Sequence, residues 1–181
     1  MGNVVTGDDD ITQLVVDMGI LVPLKSLLSA PKANLKKEAC WCISNITAGT
    51  LPQIKAVYEN GIFPILIQVL SQADYKTKRE ACWALCNATS CFDSSPEIIR
   101  YMIGNGLMQP LVKMLNADEP KILQVTLDGF DNILQVGEED AVHSEDNVNQ
   151  FAIQFEDADG LDCLWDLQSH MDTNVYLKAK N

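Results

Sequence analysis

An all-α solenoid, a right-handed superhelical stack of three-helix repeats, is the fold class this sequence predicts, and three observations predict it. Residues 36–49 (KKEACWCISNITAG) and 78–91 (KREACWALCNATSC) are near-copies of one segment, 42 residues apart. Helical self-similarity with a period in the forties marks a stack of repeats. A Gly recurs at Gly19, Gly61 and Gly106, and each opens a leucine-rich stretch. Apolar residues follow it at +5, +8 and +9: Leu24/Leu27/Leu28, Leu66/Val69/Leu70 and Leu111/Met114/Leu115. Finally, 47% of the 181 residues are hydrophobic, enough to build a core.

The elements follow in order. Residues 1–7 (MGNVVTG) read as the end of a preceding repeat, because Asn3-Val4-Val5-Thr6-Gly7 parallels Asn45-Ile46-Thr47-Ala48-Gly49. Residues 8–49 form the first full repeat: Asp8-Asp9-Asp10 as a helix start, a short amphipathic stretch over 11–18, the Gly19 helix, and a long helix over 35–47. Residues 50–91 repeat the plan with 51–60, the Gly61 helix and 77–89. Residues 92–137 do so a third time. Ser94-Ser95-Pro96 starts 96–105, Gly106 opens the second helix, and Glu119-Pro120 starts 121–135. Residues 138–181 are read as an acidic loop and a degenerate, truncated last repeat. The loop covers 137–146; then come 147–155, Gly160 opening 161–168, and 174–181. Three helices per unit is the armadillo pattern, not the two-helix HEAT or tetratricopeptide pattern. No polar capping unit stands at either end, so the chain is expected to be part of a longer array.

Composition narrows the function. The net charge is −12, which argues against nucleic acid as a ligand, since phosphate binding needs clustered Lys and Arg. It favours a cationic partner. From Glu138 onward eleven acidic residues face two basic ones, net −9, leaving −3 for the first 137 residues. Cys40-x-Cys42 and Cys82-x3-Cys86-x4-Cys91 lack zinc spacing and have no His nearby, so no metal is expected. Asp8-Asp9-Asp10 lacks the Gly and terminal Glu of a calcium loop. His143 and His170 are isolated from any nucleophile, and no phosphate-binding glycine loop occurs, so neither catalysis nor a cofactor is expected. No signal peptide or bilayer-spanning apolar run is visible, and the cysteines fall in apolar helical pattern; the expectation is a reduced, intracellular protein without membrane contact.

The repeated polar residues carry the functional signal. Glu38, Trp41 and Asn45 lie at offsets 0, +3 and +7, on one helix face. Ala39, Ile43 and Ile46 lie on another, as Ala81, Leu85 and Ala88 do in the second copy. Burying a Glu, a Trp and an Asn together would strand polar groups at roughly 1–3 kcal/mol each. The polar face therefore reads as a surface groove. Equivalent helices lie about 10 Å apart in such a stack, and an extended peptide advances roughly 3.3 Å per residue. One repeat thus spans about three peptide residues. An Asn amide suits a peptide unit because it both donates and accepts; the same amide also suits a hydrogen-bond ladder between repeats. Trp walls accept Lys or Arg stems, and the cation gains about 0.5–2 kcal/mol from the ring. Glu38 and Glu80 would meet the charged tips. In the third long helix Asn132 aligns with Asn87, but Asp128 stands where Trp83 stands.

Three segments resemble the importin-alpha family of nuclear-import adaptors. They are Glu38-Ala39-Cys40-Trp41-Cys42-Ile43-Ser44-Asn45-Ile46-Thr47-Ala48-Gly49, its copy from Glu80 to Ser90, and Val125-Thr126-Leu127-Asp128-Gly129-Phe130-Asp131-Asn132-Ile133-Leu134. Gly2-Asn3-Val4-Val5-Thr6-Gly7 is similar to the family too. The resemblance runs nearly end to end and points to the C-terminal half of that family. It implies a minor site for basic nuclear localization signals, lined by Trp41, Asn45, Trp83 and Asn87 with Glu38, Ser44 and Glu80. Val5, Gly7, Thr12 and Asn45 match positions that hold a lysine there. It further implies cargo localization peptides as partners, and importin-beta bound through an N-terminal segment absent here. The export receptor and nucleoporins would dock at the C-terminal repeats, and the protein would shuttle between cytoplasm and nucleus. The alternative is a non-transport armadillo scaffold for acidic or amphipathic partners. That role wants a basic groove, and this sequence places Glu there.

Overall fold

The computed structural model describes residues 9–180. The expected end of a preceding repeat, residues 1–7, with Val5 and Gly7, lies outside them. The described chain runs α1 (Asp9–Asp17), α2 (Leu21–Leu28), α3 (Ala33–Thr47), α4 (Leu51–Glu59), α5 (Phe63–Gln72) and α6 (Tyr75–Ala88). It continues through α7 (Pro96–Gly104), α8 (Met108–Val112), α9 (Pro120–Val142), α10 (Gln150–Asp157), α11 (Gly160–Leu167) and α12 (Thr173–Lys180). Short 3-10 turns extend α6 (Thr89–Cys91) and α8 (Lys113–Asn116). No strand occurs among the described residues. The all-α, three-helix plan predicted from the sequence is the one observed.

The recurring glycines make the corners between first and second helices. Gly19, Gly61 and Gly106 have φ of 83°, 61° and 84°, the left-handed region that a Cβ disfavours. Each corner closes with the same pair of bonds. The Gly amide donates three residues back (Gly19 to Val16, Gly61 to Tyr58, Gly106 to Ile103, all 2.9 Å). The next amide donates five back, Ile20 to Val15, Ile62 to Val57 and Leu107 to Met102. This is the Schellman termination, repeated in register. The fourth corner differs from the sequence expectation. Asp159, not Gly160, takes the left-handed conformation, with φ of 65°. Gly160 is instead the first helical residue, and it serves close packing: a Cβ there would lie 2.5 Å from the Phe155 ring.

The third helices lie side by side in the order α3, α6, α9, α12. The second helices follow in parallel as α2, α5 and α8. Tyr58 and Tyr101 link α4 to α7 through an edge-to-face contact of 5.0 Å. One continuous core runs through the stack, with Ile43, Ile46, Phe63, Leu66, Leu85, Ile98, Met102, Leu111 and Ile133 fully buried. The apolar faces expected from spacing are the buried ones, since Ala39, Ile43, Ile46, Ala81, Leu85 and Ala88 are at most 1% exposed.

Two expectations are corrected. The acidic segment 137–146 is not a loop throughout, because α9 runs on to Val142 and the loop begins at His143. Apolar spacing carries the helix on: Ile133, Val136 and Ala141 are buried. Charge also helps, since Arg100 of α7 grips Asp140 through two nitrogens at 2.9 and 2.6 Å. The surface at Gly137 receives Asn149, whose Nδ2 donates to the Leu134 carbonyl at 2.9 Å while its Oδ1 caps α10. The boundary drawn between residues 137 and 138 therefore falls inside a helix. The second correction concerns caps. Ser95 precedes α7 but its hydroxyl accepts no capping bond, and that buried hydroxyl has no partner among the described residues.

Candidate peptide-binding groove

α3 and α6 present the repeated polar face side by side. Trp41, Asn45, Trp83 and Asn87 are all half-buried, with one edge in the stack and one on its surface. Glu38 is the most open of the set, its side chain 48% exposed against 13% for Glu80. Between the helices lies an open hollow of about 280 Å³ lined by Lys37, Glu38, Trp41 and Glu80. The slot therefore spans two repeats: the indole comes from α3 and its second carboxylate from α6. Glu80 comes near enough to α3 to reach the Cys40 thiol electrostatically. Burial first, with the Glu80 charge adding to it, pushes that thiol up to about 12. A larger hollow of about 340 Å³ is lined by Leu28, Ser29, Lys36, Ile65, Gln68, Val69, Gln72 and Ala73. It offers a cation neither a carboxylate nor a ring.

Both groove carboxylates already hold a cation from their own helix. Lys37 pairs with Glu38 at 3.2 Å and Arg79 with Glu80 at 3.1 Å. Arg79 also reaches Glu119 at 3.3 Å, and these acids, Glu80 foremost, hold its guanidinium above its ordinary value. The Lys37–Glu38 and Arg79–Glu80 pairs each run along one helix, while the Arg79–Glu119 pair crosses to the N-cap of α9. None of these pairs crosses between α3 and α6, so an incoming ammonium can join Glu38 and Glu80 there.

The asparagines do double duty. Asn87 Nδ2 donates to the Ser44 carbonyl at 3.1 Å, and Asn132 Nδ2 donates to the Thr89 hydroxyl at 2.9 Å. Each Asn thus ties its helix to the preceding repeat through Nδ2 and keeps an Oδ1 that can accept. Asn45 Nδ2 is buried and has no partner among the described residues; the residue 43 before it, Gly2, lies outside them. Ser44 is buried, its hydroxyl donating to the Trp41 carbonyl at 2.8 Å. Thr12 is buried in α1, 3% exposed. Ser44 therefore sits in the frame beneath Trp41, and Thr12 lies in α1, which packs on α4. The sequence reading gives Lys37 and Arg79 a solvated face and Glu119 a helix start, and places none of the three beside the groove. The Lys or Arg immediately before each groove Glu was the available signal.

Comparison with known proteins fits this geometry. The model of the Armadillo/beta-catenin-like repeat matches residues 8–48 and 51–90. Importin subunit alpha-1a of Oryza sativa subsp. japonica is 43% identical over 99% of this chain and 34% of its own length. Importin subunit alpha-4 of Arabidopsis thaliana is 45% identical over 82% of this chain and 27% of its own length. The chain belongs to the importin-alpha family of armadillo-repeat proteins. It spans about a third of the length of the curated importin-alpha relatives it matches. Among solved structures, a designed armadillo repeat protein in complex with the peptide (KR)4 superposes with a TM-score of 0.80 at 29% identity, covering 99% of this chain and 69% of that one. A computationally designed armadillo repeat protein for modular peptide recognition gives 0.84 at 27% identity, with the same coverage.

Proposed function

We propose that this importin-alpha member binds basic peptides, extended along the α3–α6 face, as part of a nuclear-import adaptor. The observation that carries the reading is the slot built by Trp41 of one repeat and Glu80 of the next. A Lys or Arg stem fits against the indole, and its cation sits between Glu38 and Glu80. Cation–π attraction contributes about 0.5–2 kcal/mol, and each exposed ion pair roughly 0.2–1 kcal/mol. Trp83 offers a second wall one repeat on. Asn87, with its Nδ2 engaged by Ser44, keeps Oδ1 to accept from a peptide N–H. Nuclear localization signals are basic, extended segments of this chemistry, and the importin-alpha names of the relatives support that cargo class. Shuttling between cytoplasm and nucleus follows from the same role, and the protein acts by binding, not by catalysis. The designed relative bound to (KR)4 supports a basic ligand on this architecture.

The test is a titration with a Lys/Arg-rich peptide and its Glu-rich counterpart at two salt concentrations. Binding of the basic peptide alone, weakened by salt, is expected. Preference for the acidic peptide would replace this reading with that of a scaffold.

A further inference from the structure

Counting from each third-helix N-cap places four residues at one position of the repeat. The caps are Lys32, Asp74, Glu119 and Asp172; Asp172 accepts from the amides of Asn174 and Val175 as Asp74 accepts from that of Thr77. Six residues on stand Glu38, Glu80, Val125 and Lys178; nine on stand Trp41, Trp83 and Asp128. The three successive slots are therefore Trp41 with Glu80, Trp83 with Val125, and Asp128 with Lys178. In the third slot the chemistry is inverted. The carboxylate stands where the indole was, and a lysine stands where the carboxylate was.

The ion pairs differ in direction as well. Lys37–Glu38 and Arg79–Glu80 each run along one helix, and Arg79–Glu119 crosses only to the N-cap of α9, six positions before Val125. Lys178–Asp128 instead bridges α12 to α9, across the gap a peptide side chain would enter. Gln124 reinforces the crossing by donating to Asp172 at 3.2 Å. The chain's own ammonium thus occupies the third slot.

On the reading of the groove given above, we propose that Lys178 is a specificity-determining plug. It occupies Asp128 as a peptide cation would, so the groove accepts basic residues at the two Trp slots and rejects a further one three peptide residues on. The pair is partly exposed, 38% for Lys178 and 56% for Asp128, so a plug of this strength sets preference and does not block binding outright.

The test is calorimetric titration of the full chain with two peptides. The core peptide carries two lysines three residues apart in an alanine background; the extended one adds three residues at each end, terminating in Lys. Wild type, Lys178→Ala and Lys180→Ala are compared. Lys180 lies on the same helix over the Tyr176 ring, so its removal makes the same change in net charge without opening the slot. Extension should strengthen binding to Lys178→Ala about two- to five-fold more than binding to wild type or Lys180→Ala, and all three should bind the core peptide alike. Equal gains in the three proteins, or a Lys178→Ala gain as large for the core peptide, overturn the plug while leaving the groove in place. Failure of the core peptide to bind wild type and both variants overturns the groove, and the plug with it.

Discussion

The α3–α6 pair and the α9–α12 pair are built on one repeat plan yet present opposite surfaces. Both share the inter-repeat asparagine, since Asn87 bonds back to Ser44 and Asn132 back to Thr89. They differ at the slot. Trp41 faces Glu80 across an open hollow, whereas Asp128 is closed by Lys178. The comparison separates two roles that the sequence motif combines. The asparagine belongs to the frame wherever repeats stack, and it persists after the indole is gone. On the proposed function the Trp and Glu belong to recognition, and in the α9–α12 pair Asp128 and Lys178 stand in their places.

The largest effect should come from the buried face that both pairs share. Leu85→Ala, at a site with no exposure, should cost about 2–5 kcal/mol in denaturant unfolding. A cost under 1 kcal/mol would mean that α6 packs more loosely than its burial indicates.

Next in size is the slot. Trp41→Ala should weaken a basic peptide about 2- to 30-fold, the range that loss of a cation–π contact implies. Trp83 also packs against the core, so its removal should lower stability as well as affinity. Asp128→Ala should leave the affinity of a two-lysine peptide unchanged. An equal loss at Trp41 and Asp128 would erase the distinction between the two pairs.

Asn132→Ala should cost about 0.5–1.5 kcal/mol of stability through the lost tie to Thr89, with little effect on peptide affinity. Asn87→Ala should cost as much stability and weaken the peptide too. If Asn132→Ala alone weakens binding, the peptide lies over the third repeat.

The smallest effect is a pH dependence confined to one cap. Asp74 accepts from the Thr77 hydroxyl at 2.8 Å and amide at 3.2 Å, with the hydroxyl bond the leading cause of its lowered pKa. A carboxylate whose folded pKa is depressed contributes stability above its unfolded value, and that contribution is lost as pH falls through the folded value. Asp74→Ala should therefore destabilise by at most about 1 kcal/mol at pH 7, and the gap should close once acid protonates the wild-type cap, below about pH 3.8. A gap that widens in acid would assign Asp74 a different role.

Much of this molecule was legible before its structure. Gly19, Gly61 and Gly106 announced three corners because the left-handed turn strongly favours glycine. The offsets of Glu38, Trp41 and Asn45 announced a polar face because helical period is local. What stayed hidden depends on stacking. That Trp41 meets Glu80, 39 residues away, follows from how α3 and α6 lie together, and spacing within one helix cannot give it. Glu138, Glu139 and Asp140 looked like a solvated loop, yet Val136 and Ala141 anchor them to the stack and Arg100 holds Asp140. Asp159 replaced glycine at the fourth corner, which concealed that corner by one position. Lys178 looked like one of two stray cations in an acidic tail until its register with Glu80 was visible.

The central claim is that basic peptides dock on the Trp slots of α3 and α6 and nowhere else along the stack. The chain holds three tryptophans, and the third, Trp165 on α11, is 75% exposed and remote from that face. Titration of the labelled protein with a Lys/Arg-rich peptide, followed at the three indole N–H resonances, tests the claim directly. Saturable shifts at Trp41 and Trp83 with Trp165 unmoved are predicted. A saturable shift at Trp165 with Trp41 and Trp83 unmoved would contradict the account.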